Sequence, residues 1–195
     1  MAEPPWPGID GTRRPLPRPD DPELLPRDLL AALRREIGEP AAVDCCVELL
    51  TGVDFREWID VLPYVGGRAT GALLDGRMGE EWGRAWGARG LLYVWEAWAA
   101  APVVAALSDP FWRVAEHCLK VSTLRELGPA GPLAAELARH DLPRVRAQAI
   151  RTLGAVGDTE HVDTVDAALG DPAASVRTAA ERAMARLVER LDLVG

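Results

Sequence analysis

Two stretches decide the fold: DLPRVRAQAIRTLGAVG at Asp141–Gly157 and DPAASVRTAAERAMARL at Asp171–Leu187. Each stretch begins with an aspartate and continues with a Val-Arg pair and small apolar residues at helical spacing. The repeat valines, Val114, Val145 and Val176, are 31 residues apart. A short apolar segment precedes each aspartate, so one period contains a helix, a turn and a second helix. This pattern predicts an all-α solenoid of stacked helical pairs.

The same pattern continues toward the N-terminus with weaker identity. Gly83 lies 31 residues before Val114, and Leu62–Gly66 matches Leu153–Gly157. We therefore predict about five helical pairs in a right-handed solenoid, with ten or eleven helices and no sheet. The short first helices are expected at 103–107, 133–138 and 162–169.

The turns between paired helices contain an aspartate, which proline follows in two cases: Asp109-Pro110, Asp141 and Asp171-Pro172. A carboxylate can cap free helical N–H groups, and proline suits a first turn because its missing donor would be unpaired there. We therefore expect each second helix to begin at its aspartate.

The N-terminal segment has a different composition. Half of the 16 prolines lie in residues 1–26, and proline excludes both helix interiors and central strands. We predict a flexible Pro-rich arm over residues 1–21 and one repeat domain over 22–195. The first helix is expected to begin near Pro22, to bury a leucine face, and to end at Gly38.

The segments Asp141–Gly157 and Asp171–Leu187 resemble HEAT repeats, in particular the phycobilisome-lyase type. The resemblance covers about residues 40–190. It implies that the repeat aspartates and the arginines after the valines, Arg146 and Arg177, form a structural ladder between neighbouring units. The third unit departs from this pattern, because Ala115 replaces the arginine. The resemblance also implies that the second helices line the concave surface.

A helical wheel at 100° per residue identifies the positions opposite the predicted core face of each second helix. Six residues after the repeat position, the four units carry Arg89, Lys120, Arg151 and Arg182. Together with neighbouring positions, they predict a basic binding groove with an aromatic corner, made of Trp82, Trp86, Arg89, Tyr93, Arg113, His117, Lys120, Arg144, Gln148, Arg151 and Arg182.

Two alternative interpretations of these residues stay open. Exposed arginines favour helices in any case, and Arg182 could pair with Glu189 or Asp192. Aromatic residues at helical spacing often belong to a core, so Trp82, Trp86 and Tyr93 could be buried.

Charge and composition limit the function classes. The net charge of −8 argues against a general nucleic-acid or membrane-surface binder, although residues 110–151 carry seven bases against four acids. Three cysteines without CxxC spacing and no basic-then-apolar leader indicate a reduced, cytoplasmic protein. Glu96 and Pro102 interrupt the apolar stretch Leu91–Leu107, which favours a buried hairpin over a membrane span.

No complete catalytic motif is present. Adjacent His117 and Cys118 would point about 100° apart on a helix, so we predict no metal site and no cofactor. Glu116-His117 and Glu160-His161 have the reverse order of the His-Glu pairs in HEAT-repeat di-iron hydroxylases.

We predict a non-catalytic adaptor whose groove binds an acidic protein segment. The alternative is an enzyme or accessory subunit that binds an anionic small molecule or nucleic acid beside Trp82 and Trp86. That alternative resembles phycobilin lyases or HEAT-like DNA glycosylases, with Asp60, Glu81 or Glu116 as the carboxylate.

Overall fold

The computed structural model describes residues 15–192, and α-helices account for most of them. Its eleven α-helices, and the absence of any strand within 15–192, confirm the predicted all-α class. The chain divides into two units, Met1–Pro102 and Val103–Gly195, with the division inside α6. A single repeat domain over 22–195 therefore stays a prediction.

Unit 1 has two longer helices, two short ones and a glycine-rich fifth: α1 (Pro26–Ile37), α2 (Glu39–Leu50), α3 (Leu62–Gly66), α4 (Thr70–Leu74) and α5 (Glu81–Gly90). After α6 (Ala100–Ala105), unit 2 contains α7 (Trp112–Leu124), α8 (Gly131–Leu137), α9 (Pro143–Val156), α10 (Val162–Ala168) and α11 (Ala174–Leu191). Single 3-10 turns lie at Phe55–Trp58, Gly67–Ala69, Ala97–Ala99, Ala106–Ser108, Gly128–Ala130 and Thr159–His161.

Helix α1 begins later than predicted. Leu25 is 56% exposed and precedes the helix, whose first residue is Pro26. Proline is favoured there because the first helical N–H groups have no partner within the helix. The helix ends before Gly38 as predicted, since Gly38 has φ 85° and glycine adopts this conformation without steric cost.

Helices α2 and α5 pack closely because glycines line their contact. A Cβ atom on Gly87 would lie 2.5 Å from the Cys46 carbonyl oxygen, and one on Gly90 would lie 2.4 Å from Cys46 Sγ. Neither glycine could carry a side chain without moving the two helices apart.

Unit 2 follows the repeat. The valines Val114, Val145 and Val176 are all fully buried, and each lies in the first turn of a long second helix, in α7, α9 and α11. Helix α9 packs against α7, α8 and α11, and more than half of its residues are buried. Leu153 is fully buried there, as a core position should be.

The aspartates act differently from the prediction. Helices α7, α9 and α11 begin two or three residues after them, and no side chain caps any of the three N-termini. Asp109 instead accepts a hydrogen bond from the Phe111 N–H at 2.7 Å, and Asp171 accepts one from the Ala173 N–H at 2.8 Å. These two carboxylates therefore shape the turn that precedes the helix.

The predicted ladder joins neighbouring repeats. Arg146 donates to both carboxylate oxygens of Asp171, at 2.8 and 2.9 Å, and to the carbonyls of His140 and Asp141. Arg177 instead donates within its own repeat, to the carbonyls of Asp171 and Pro172 in the turn before its helix. The Arg146 hydrogen bonds hold the pKa of Asp171 below its ordinary value.

Only the end of the predicted arm, residues 15–21, lies within the described residues. The Leu16 N–H donates to Asp60 at 3.0 Å, and the Tyr64 hydroxyl donates to the Pro17 carbonyl at 2.7 Å. A little further along, the Arg68 N–H donates to the Pro22 carbonyl at 3.1 Å. Residues 15–22 are therefore attached to unit 1. The predicted flexibility of residues 1–14 lies outside the described range.

Candidate functional site

Three of the four bases that follow the repeat positions by six residues, Lys120, Arg151 and Arg182, lie on neighbouring second helices of unit 2. Arg151 of α9 and Arg182 of α11 are exposed, whereas Lys120 of α7 is half-buried. Arg151, Arg182 and Arg186 share one groove of about 270 Å³, whose other lining residues are Thr123, Ala179 and Ala183. We call this the arginine groove. Its walls supply three guanidinium groups and no carboxylate.

A hydrogen-bonded network lies beside the arginine groove. The Gln148 amide accepts from Arg151 at 3.4 Å and donates to Thr123 Oγ1 at 3.2 Å. Thr123 Oγ1 and Thr152 Oγ1 are 2.9 Å apart, and each hydroxyl lies within hydrogen-bonding distance of the Leu119 carbonyl. These contacts join α7 to α9 and give Arg151 a preferred direction.

Lys120 and Arg144 both pair with Glu116, which the sequence suggested only as a carboxylate of the enzyme alternative. Glu116 is only 5% exposed, and its oxygens lie 2.9 Å from Lys120 Nζ and 2.9 Å from an Arg144 guanidinium nitrogen. Burial alone would raise the pKa of Glu116, but hydrogen bonds and charge from Lys120 and Arg144 outweigh burial and lower it. This cluster therefore has much less free positive charge than the arginine groove.

Trp112 is the aromatic residue nearest to this cluster. The Arg113 and Arg144 guanidinium carbons lie 4.3 and 4.7 Å from the centroid of its ring. These distances are within the range of cation–π attraction, which restrains both arginine side chains. Arg144 thus contacts a carboxylate and an indole at once.

Two predicted groove residues are core residues, which corrects the prediction. Trp86 is 2% exposed, and its ring covers Gly66, where an added Cβ would lie 2.5 Å from the indole. Gln148 is 7% exposed. The wheel assumed one core face on each helix, but α9 has neighbours on three sides and α5 packs against α2 and α3.

The remaining predicted residues are scattered. Arg89 is half-buried in unit 1 and donates to the Val65 carbonyl, so it does not share the surroundings of Arg151. Trp82 and His117 are half-buried, and Tyr93 is 39% exposed. Arg186, ten residues after the repeat valine Val176 and on the same face of the wheel as Arg182, also lines the arginine groove.

The described part of the chain offers no metal centre and no activated thiol. No group of three His, Cys, Asp or Glu side chains within it could hold an ion. Cys45, Cys46 and Cys118 are buried thiols, and burial raises the pKa of Cys46 to about 12. A thiol of such high pKa is a poor nucleophile at neutral pH because the reactive form is the thiolate.

Among the helices of residues 15–192, none is long and apolar enough to cross a membrane. The stretch Leu91–Leu107 is broken into a turn, a 3-10 turn, α6 and the start of a second 3-10 turn. It is therefore not one continuous helix.

Comparison with known proteins gives one match. Residues 99–185 match the family model described as HEAT repeats. No curated protein and no solved structure matches the chain. The phycobilisome-lyase type within the family stays a prediction. The matched segment coincides with the regular helices from α6 to α11, including the Arg146–Asp171 ladder. Residues 99–185 of the chain therefore contain HEAT repeats.

Proposed function

We propose that this protein is a non-catalytic adaptor and that its arginine groove binds an acidic segment of a partner protein. HEAT repeats are commonly protein-interaction scaffolds. Stacked repeats provide an extended surface that is already ordered, which reduces the entropic cost of binding.

The unpaired charge of the arginine groove carries this proposal. Within residues 15–192, no ion pair joins Arg151, Arg182 or Arg186 to a carboxylate. Other bases of unit 2 are paired: Arg146 with Asp171, and Lys120 with Glu116. A row of free guanidinium groups on adjacent helices can bind several carboxylates in turn, and guanidinium geometry suits paired oxygens.

The choice of a protein partner over nucleic acid depends on the charge of the whole chain. A net charge of −8 repels a polyanion as long as a duplex, whereas a short acidic segment meets mainly the local field of the groove. Ala179 and Ala183 also leave room between the arginines for a backbone to approach. The alternative of an enzyme pocket beside Trp82 and Trp86 gains no support, because Trp86 is a core residue.

The test is a titration of the full chain against a fluorescent octaglutamate peptide with blocked termini. Arg151→Glu with Arg182→Glu should weaken binding about tenfold or more, since two exposed pairs contribute up to about 1 kcal/mol each and repulsion is added. Arg35→Glu with Arg139→Glu is the matched control, because both residues are exposed and the net charge changes equally. Affinity should also fall as salt is raised.

Two results would overturn the proposal. One is equal weakening by the groove pair and the control pair, which would show that only net charge matters. The other is tighter binding of a single-stranded oligonucleotide of equal charge at the same salt concentration, which would assign the groove to nucleic acid.

A further inference from the structure

Arg89 lines a cavity of unit 1, unlike Lys120, Arg151 and Arg182, which occupy the same repeat position in unit 2. It lies on α5 in unit 1, where it is half-buried and its guanidinium donates one hydrogen bond to the Val65 carbonyl. A guanidinium carries five N–H donors and a permanent charge, and a single neutral carbonyl satisfies few of them. No carboxylate within the described residues pairs with Arg89.

Partial burial without an ion pair is energetically unfavourable for Arg89. Removal of a cation from water costs free energy that only a counter-charge and further hydrogen bonds recover. Burial accordingly lowers the pKa of Arg89, against an opposing effect of Tyr93. An anion at this position would offset the cost of burial.

A cavity of about 330 Å³ opens beside Arg89, and its size falls within the range of small-molecule sites. Two other charged side chains line it, Arg68 and Glu23, and they pair with each other at 3.2 Å. The pair leaves the charge of Arg89 uncompensated, so the cavity has a net charge of +1. One monovalent anion would neutralise it.

The rest of the lining is mainly apolar. The segment Pro22–Pro26 forms one wall, and the Arg68 N–H holds this wall in place through the Pro22 carbonyl. Leu24 and Leu25, 42% and 56% exposed, lie on this wall, and Leu29 of α1 adds a buried apolar surface. Exposed leucines beside an unpaired cation form a surface suited to an amphipathic ligand.

From this geometry we propose that the cavity binds a carboxylate that carries a short apolar chain. The carboxylate lies on the Arg89 guanidinium, and the chain packs against Leu24, Leu25 and Leu29. The site belongs to unit 1 and does not depend on the acidic-partner proposal for unit 2. A free carboxylic acid and the C-terminal apolar residue of a polypeptide share this chemistry.

The test uses the full chain labelled with ¹⁵N at arginine and titrated at constant ionic strength with hexanoate, acetate or hexanamide. Hexanoate should shift the Arg89 Nε–Hε resonance and raise the melting temperature. Acetate should bind about tenfold or more weakly, because it lacks the alkyl chain whose burial against the leucines favours hexanoate. Hexanamide, which lacks the charge, should leave both signals unchanged.

Arg89→Met keeps the apolar stem and should abolish the effect of hexanoate on melting temperature. Arg35→Met, on the exposed face of α1, is the matched control and should retain it. Leu25→Ser should reduce the preference for hexanoate over acetate. If Arg89→Met does not fold, the wild-type comparison of hexanoate with hexanamide still decides the question.

A second arm separates the two sources of the ligand. It uses an acetylated pentapeptide that ends in leucine, with a free or an amidated C-terminus. Binding of the free peptide about tenfold tighter than hexanoate would assign the site to a polypeptide C-terminus, and the reverse order would assign it to a free acid. If neither probe shifts Arg89, or if hexanamide acts like hexanoate, the proposal is overturned, and Arg89 serves only to bind the Val65 carbonyl.

Discussion

The helical position six residues after the repeat residue has different surroundings in the two units. In unit 2, α9 and α11 are long and rich in alanine, and their arginines project from the packed surface into the arginine groove. In unit 1, α3 and α4 have only five residues each, and α5 carries glycines and tryptophans. Arg89, which occupies the same repeat position as Arg151, lines a cavity instead. The position of a residue within the repeat therefore predicts its exposure only where the neighbouring helices also follow the repeat.

The core of unit 2 should be the most sensitive to truncation. Leu153→Ala is expected to cost about 2–5 kcal/mol, because it removes a fully buried side chain and leaves a cavity between packed helices. Leu124→Ala, at a leucine 55% exposed on α7, is the matched control and should cost under about 0.5 kcal/mol. Denaturant unfolding measures both, and equal losses would mean that the core of unit 2 is misplaced.

Unit 1 should instead be sensitive to added volume. Gly87→Ala places a Cβ 2.5 Å from the Cys46 carbonyl and is expected to cost about 1–3 kcal/mol through overpacking. Gly71→Ala adds the same methyl group to α4 in open space and should be neutral or stabilising by up to about 1 kcal/mol. Thermal unfolding of the two variants checks this. A stable Gly87→Ala variant would show that α2 and α5 can move apart freely.

The charged cluster of unit 2 should make stability depend on pH. The folded-state pKa of Glu116 is lowered, so its contribution is present above its ordinary value of 4.5 and is lost as pH falls through the folded value. Glu116→Gln should therefore cost about 1–2 kcal/mol at pH 7, and the difference from wild type should shrink below pH 4.5.

Unfolding curves at pH 7 and at the lowest pH where the protein remains folded measure this difference. Glu136→Gln, at an exposed glutamate of α8, is the control and should show little difference at either pH. A constant difference for Glu116→Gln across the pH range would contradict the ion-pair assignment.

The sequence predicted the fold of unit 2 well because small apolar residues at a fixed period determine both the helices and their stacking. The predicted burial of Val114, Val145 and Val176 is confirmed. The Arg146–Asp171 contact, which the resemblance to HEAT repeats implied, is also present. The predicted helix starts were less accurate, because Asp109 and Asp171 stabilise the turns before the helices rather than cap the helices themselves.

The site was predicted only in part, because a helical wheel contains no information about neighbouring helices. The wheel identified Arg151 and Arg182, but it could not show that α7 contacts would bury Gln148 or that Gly66 would accommodate Trp86. The Glu116 cluster was missed because Arg144 reaches it from the next repeat, 28 residues away. The concavity of the second-helix face stays a prediction.

The central claim is that unit 2, through its unpaired arginines, is the binding region. It is tested most directly by arginine Nε–Hε resonances of the full chain during titration with the blocked octaglutamate peptide. The account predicts shifts concentrated at Arg151, Arg182 and Arg186, with Arg35 and Arg77 of unit 1 unchanged. Shifts of equal size at all exposed arginines, or shifts confined to unit 1, would contradict it.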